Sequence, residues 1–236
     1  MKQEIEHLYG LKLSATDHEI GKVKDFYFDD LTWQIRYLVA DTGGWLSGRQ
    51  VLLSPHAFGA TALADARGYG AHLRVNLTQQ QIEDSPAIEM HRPVTRQDEE
   101  QYYSYHGWPN YWGDGLLGAG GVPTFIPPPL PEGHAHHGHN QRDDIHLRST
   151  KDMTGYSVLA TDGEIGKVHG FVVEGKDWTL HEVIVAPGEW REKTLPHVQI
   201  RHILCINHET ASVFMNFSRD KLKRATRDDL DQPAHL

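Results

Sequence analysis

The sequence predicts an all-β protein: two small β-barrels, each closed by a short C-terminal helix, joined by a long, partly helical linker. Three observations predict it. Ala15-Thr16-Asp17-His18-Glu19-Ile20-Gly21-Lys22-Val23 recurs as Ala160-Thr161-Asp162-Gly163-Glu164-Ile165-Gly166-Lys167-Val168, an offset of 145 residues. The same offset carries Gly10 onto Gly155, Phe26 onto Phe171, Trp33 onto Trp178 and Trp45 onto Trp190. Each copy is a series of short apolar runs separated by turn residues. A period this long means two related domains and an insert, not a solenoid. The divisions are 1–90 for the first barrel, 91–148 for the linker and 149–230 for the second.

Within the first copy, Thr16-Asp17-His18-Glu19 reads as a turn, with Asp17 able to bond its own backbone. Ile20 to Phe28 follows as a strand and ends at Asp29-Asp30. Trp33 to Ala40 is a second strand, stopped by Asp41-Thr42-Gly43-Gly44, and Val51-Leu52-Leu53 a third. The second copy repeats these as Lys167–Val173, Trp178–Val185 and Ile200–Ile206, with Asp162-Gly163 as a hairpin signal. His72 to Leu77 alternates as a closing strand, after which Thr78 caps a helix carrying Ile82. The counterparts are Val213 to Phe217, the cap Ser218 and Leu222.

In 91–148, Thr95 to His106 reads as a helix with acidic residues in its first turn and Gly107 as its stop. It carries a run of rings: Tyr102, Tyr105, Trp108, Tyr111 and Trp112 are the candidate partner surface. Tyrosine and tryptophan favour interfaces. The other reading is that these rings complete the core of the first domain. Pro127-Pro128-Pro129 reads as a stiff extended spacer. Seventeen histidines occur in all, and His134, His136, His137 and His139 cluster within six residues. Imidazoles at that density are a candidate metal site for Zn, Ni or Cu. No second group is visible to orient the rings, so a solvated spacer is the alternative.

Several function classes are set aside. The net charge is −9 and no segment forms a basic block, which argues against nucleic acid. No apolar run approaches the length of a membrane span, and the N-terminus has no signal-peptide core. One cysteine allows no internal disulfide, which fits the cytoplasm. No phosphate-binding loop, nucleophile elbow or zinc-protease motif occurs, so the expectation is no enzyme and no cofactor. Cys205, inside Ile203-Leu204-Cys205-Ile206, reads as a buried small residue and not a nucleophile.

The matching residues resemble the PRC-barrel family, named for the H subunit of the photosynthetic reaction centre. They are Gly10, Asp17, Ile20-Gly21-Lys22-Val23, Val39-Ala40-Asp41, Trp45, Val51 to Pro55, Val75-Asn76-Leu77-Thr78 and Ser85-Pro86. In the second copy they are Gly155, Asp162, Ile165-Gly166-Lys167-Val168 and Asn216-Phe217-Ser218. The resemblance implies a compact β-barrel used for assembly. In the reaction-centre subunit such a domain caps the membrane complex. In a ribosome-maturation factor it binds a ribosomal protein. The expectation is a non-catalytic binding or scaffold module with a protein partner, or one that self-associates as a homodimer. The alternatives are a photosynthesis-associated role and metal binding through the histidine tract.

Overall fold

The computed structural model describes residues 2–46, 48–59, 62, 66, 71–85, 96–108, 147–188 and 195–224. The chain forms two compact units, residues 1–83 with 146–236, and residues 84–145. Both repeats lie in the first unit.

The first repeat runs β1 (Lys2–Glu4), a 3-10 turn (Ile5–His7), β2 (Lys12–Ser14), β3 (Glu19–Asp29), β4 (Ile35–Asp41) and β5 (Gln50–Leu53). A 3-10 turn (Pro55–Ala57), β6 (His72–Arg74) and helix α1 (Gln79–Glu83) complete it. The second unit carries α2 (Arg96–His106). The second repeat runs β7 (Leu147–Ser149), α3 (Thr150–Met153), β8 (Ser157–Ala160), β9 (Gly163–Glu174) and β10 (Thr179–Pro187). It ends with β11 (His197–Gln199), β12 (Ile203–Asn207), β13 (Ser212–Met215) and α4 (Arg219–Arg224). The fold is mostly β with short helices, in two sheets ordered β5-β4-β3-β2-β6 and β11-β10-β9-β8-β13-β12.

The repeated glycine has a physical cause. A Cβ on Gly21 would strike the carbonyl of Asp41 on β4, and one on Gly166 would strike that of Ala186 on β10. Glycine lets the long strand press against its neighbour as the sheet curls. Inward positions on β3 then fill the core: Ile20, Phe26 and Phe28 are fully buried. β4 is buried along nearly its whole length, as is expected of a strand covered on both faces. In the first sheet Phe58, beyond β5, bridges Val75, beyond β6, and in the second Ile203 on β12 pairs with Met215 on β13.

The closing helices obey local rules. The Thr78 hydroxyl accepts from the Gln81 amide while the Gln81 side chain accepts from the Thr78 amide, a reciprocal capping box. The Asp17 carboxylate accepts from the Gln79 amide at 2.9 Å, and Asp162 accepts from the Arg219 amide at 2.7 Å. These aspartates thus reach across to the closing helices, a link between chain segments that the local turn reading did not contain. The bond to Gln79 holds the Asp17 carboxyl below its ordinary range.

Two strand boundaries differ from the sequence expectation. Trp33 and Trp178 precede β4 and β10 in left-handed turns, with φ of 60° and 56°. The third strand of the second repeat begins earlier, at His197, and a 3-10 turn (Ile200–His202) breaks the expected 200–206 strand.

Candidate functional site

The polar chemistry of the first unit gathers on the seam between the repeats, and the backbone explains why. β1 pairs with β9 of the second repeat: Lys2 opposes Glu174, Gln3 opposes Val173 and Glu4 opposes Val172. β7 pairs with β3 of the first repeat: Leu147 opposes Asp29, Arg148 opposes Phe28 and Ser149 opposes Tyr27. Adding 145 to each residue of the β3–β7 set or subtracting it exchanges the two lists, so each repeat lends its first strand to the other in the same register. Both loans are antiparallel and lie along the part of a long inner strand that β8 or β2 leaves uncovered, which supplies main-chain partners to its backbone groups.

The two tryptophan turns lock the exchange. The Ile35 amide donates to the Trp178 carbonyl and the Leu180 amide donates to the Trp33 carbonyl, both at 2.8 Å. Gln34 and Thr179 form the bridge between them. A non-glycine residue at positive φ is strained and persists where its surroundings over-determine it. Here each strained carbonyl is held by the other repeat. The ring of Trp178 lies against Phe26 (6.4 Å) and Phe58 (5.2 Å) of the first repeat, and Phe28 packs on Phe171 at 5.8 Å.

Charged groups then cross the same seam. Lys2 on β1 donates to Glu182 on β10 at 2.6 Å, and His197 donates to the other oxygen of that carboxylate at 3.0 Å. Burial by itself raises the Glu182 pKa, but these two donors bring it below its ordinary value. On the opposite arm, Asp25 of β3 accepts from the Ser149 hydroxyl at 2.6 Å and the Thr150 hydroxyl at 3.1 Å. The Thr150 hydroxyl in turn lies 2.8 Å from that of Tyr9. Burial pushes the Asp25 carboxyl up despite these bonds, and burial raises the Tyr9 hydroxyl too. Asp30 accepts from Arg148 at 2.9 Å and from His208 at 3.1 Å, and the other His208 nitrogen lies 3.4 Å from the Tyr156 hydroxyl. Each of these carboxylates therefore joins one repeat to residues of the other.

Of the expected partner surface, Tyr102 is buried beside Tyr103, Tyr105 is exposed and Trp108 is half-buried. Their rings pack on one another: Trp108 stacks on His106 at 4.4 Å and meets Tyr102 edge-on at 5.9 Å. Burial lowers the His106 pKa. Tyr111 and Trp112 lie outside the described residues, as do His134, His136, His137 and His139. Among the described residues no three histidine, cysteine or carboxylate side chains come together as a metal site. Cys205 is exposed, contrary to the expectation of a buried thiol, because β12 is the outermost strand of its sheet.

The seam residues Lys2, Trp33, Arg148, Ser149 and Trp178 were not singled out as functional by sequence reasoning. Tryptophan repeated at one offset beside a turn was the available signal. Three-residue strands carry no periodicity that would identify β1 and β7.

Residues 5–63 match the model of the PRC-barrel domain family, so the first repeat carries a PRC-barrel domain. No curated protein matches the chain.

Proposed function

We propose that this chain is a non-catalytic assembly module in which two PRC-type barrels act as one platform for a protein partner. The observation that carries the reading is the use of the carboxylates on the seam. Asp25, Asp30 and Glu182 are each bonded to groups of the other repeat, so their chemistry is committed to holding the halves together. Catalytic groups are instead aimed at a space where a substrate atom can sit. The family match supports a binding role for the first repeat. The second sheet supports a second barrel of the same type, since its glycine, aspartate cap and closing helix stand at equivalent places. No helix among the described residues is long and apolar enough to cross a membrane. The proposed setting is the cytoplasm, in keeping with an exposed free thiol at Cys205.

The proposed docking element for the partner is α2. Tyr105 is 45% exposed, and its neighbours His106 and Trp108 are stacked on one another; rings already packed lose less entropy on binding than free ones. The test replaces Tyr105 with a photo-crosslinking phenylalanine analogue in the full chain, within its native cells. One recurrent protein adduct, absent when the probe is moved to Lys12, is the expected result. No adduct above background overturns the α2 surface. Turnover of any substrate by the purified chain overturns the non-catalytic assignment.

A further inference from the structure

The two arms of the seam each place one carboxylate over a long strand, and they supply it from opposite sides. On the β7 arm it belongs to the receiving strand. Asp25 of β3 accepts from the Ser149 and Thr150 hydroxyls and, at 3.3 Å, from the Lys151 amide. The Lys151 ammonium lies over the Tyr9 ring, 4.6 Å from its centre. On the β1 arm the carboxylate belongs to the incoming segment. At the 145-residue offset, Glu6 stands at the place of Lys151, and Gly170 of β9 at the place of Asp25. A Cβ on Gly170 would collide with the Glu6 carboxylate, which therefore fills the space that the Asp25 side chain takes in the first repeat. Burial pushes both carboxyls up, so neither space welcomes a second charge.

This arrangement decides which repeat fits which. Laying β1 and its turn on β3 of a second copy, in the same register, drives the Glu6 carboxylate into Asp25. Laying β7 and α3 on β9 of a second copy sets Lys151 over Gly170, with no carboxylate for the Ser149 and Thr150 hydroxyls and Thr154 in place of Tyr9. The ion pairs obey the same rule. Lys2 meets Glu182 and Arg148 meets Asp30 across the seam. At the offset, Leu147 replaces Lys2, Tyr37 replaces Glu182, Gln3 replaces Arg148 and Gly175 replaces Asp30. Like-with-like pairing thus sets Lys2 against the buried Tyr37 and Arg148 against Gly175. Taking one partner from a desolvated pair costs far more than the intact pair contributes.

We propose that the seam is a pairing code: each repeat accepts a repeat of the opposite type and rejects a second copy of itself. The proposal rests on the reading of the two barrels as one platform and names what makes them one. The axis relating the repeats passes through the bridge between Gln34 and Thr179, since these two residues are themselves 145 apart. In a like-with-like pair Gln34 opposes Gln34 of the second copy, and Thr179 opposes Thr179. Directly opposed antiparallel Cα atoms lie about 4.5–5.5 Å apart, within the range a disulfide spans.

The test starts from the full chain carrying Gln34→Cys and Thr179→Cys together, with Cys205→Ser and a protease site among residues 131–140. Cutting the folded protein there frees the halves to choose partners. The cut protein is dissociated in urea, returned to buffer and oxidised with diamide, which takes up the two electrons and two protons released as each S–S bond forms. Mass spectrometry counts the links. A seam without preference gives the two self-links together as often as the 34–179 link. The expected result is a 34–179 excess of about tenfold or more. Glu6→Lys with Gly170→Asp gives the β1 arm the chemistry of the β7 arm, and is expected to bring the self-links up toward parity. If that pair does not reassemble, Lys2→Leu with Arg148→Gln makes the arms alike at two other places and serves instead. Self-links as frequent as the 34–179 link in the unaltered seam overturn the proposal. So does an excess indifferent to the substitutions, or halves that form no link at all. A 34–179 excess with no Tyr105 adduct overturns the α2 surface alone. An adduct with no such excess overturns the pairing code alone.

Discussion

Where β1 lies on β9, Lys2 reaches the Glu182 carboxylate and His197 closes on it from the other side. Where β7 lies on β3, Asp25 gathers the Ser149 and Thr150 hydroxyls and the Phe26 amide, and Asp30 gathers Arg148 and His208. The backbone register of the two arms is the same, yet their side-chain chemistry has little in common. At the position of Asp25 the second repeat has Gly170, over which the Glu6 side chain folds. Main-chain pairing therefore sets the geometry of the exchange, and the side chains around it were free to diverge. The β7 arm is anchored by several part-buried hydrogen bonds. The β1 arm includes an ion pair whose lysine is 44% exposed, and such half-exposed pairs contribute little.

The largest expected effect separates the two tryptophans. Trp178 is 6% exposed and packs on two first-repeat rings, so Trp178→Ala should cost about 3–5 kcal/mol in denaturant unfolding. Trp33 is less buried and stacks on Phe28 of its own repeat, so Trp33→Ala should cost about 1–2 kcal/mol. Equal costs would mean that the seam is energetically symmetric and that the asymmetry argued above is cosmetic.

The glycines come next. Gly21→Ala and Gly166→Ala each drive a methyl into a neighbouring carbonyl and should cost about 1–3 kcal/mol from overpacking. Gly21 also has a φ of 134°, which alanine resists, so its variant should be the less stable of the two by chemical melts.

The polar variants follow, from a cost like that of the glycines downward. Asp25→Ala removes the acceptor of the Ser149 hydroxyl and one partner of the Thr150 hydroxyl, and should cost about 1–3 kcal/mol, independent of salt. Lys2→Met should cost about 1 kcal/mol or less, with any loss shrinking as salt is added. A Lys2 variant that destabilises more than the Asp25 variant would reverse the ranking of the arms.

Acid should separate the arms by sign. The folded-state pKa of Glu182 is lowered, so its contribution is full above the ordinary glutamate value and is lost as pH falls through the folded value. That of Asp25 is raised, so its contribution is full below the ordinary aspartate value and is lost as pH rises through the folded value. Glu182→Gln should therefore flatten the acid-side fall in melting temperature. Asp25→Asn should leave that fall in place and remove the opposite trend. Parallel melting curves for both variants and the wild type would contradict the assignment.

Much of this architecture could be read from residues near in sequence. The Thr78 cap with Gln81 three residues on is a local signal, and the structure has it as a capping box. The helix expected to end at Gly107 ends at His106, with Gly107 at a φ of 69°. Cys205 shows the other case. An apolar strand looks buried in sequence, and only its place at the sheet edge makes it exposed.

The sequence by itself determined the repeat, the strands of each copy and the glycine that lets them curl, because these depend on periodicity, turn chemistry and local sterics. Only the tertiary structure decided that the first strand of each copy belongs to the sheet of the other. Three residues carry too little pattern to name their partner. The choice rests on which distant edge offers free backbone groups, and on two tryptophan carbonyls held by amides roughly 145 residues away.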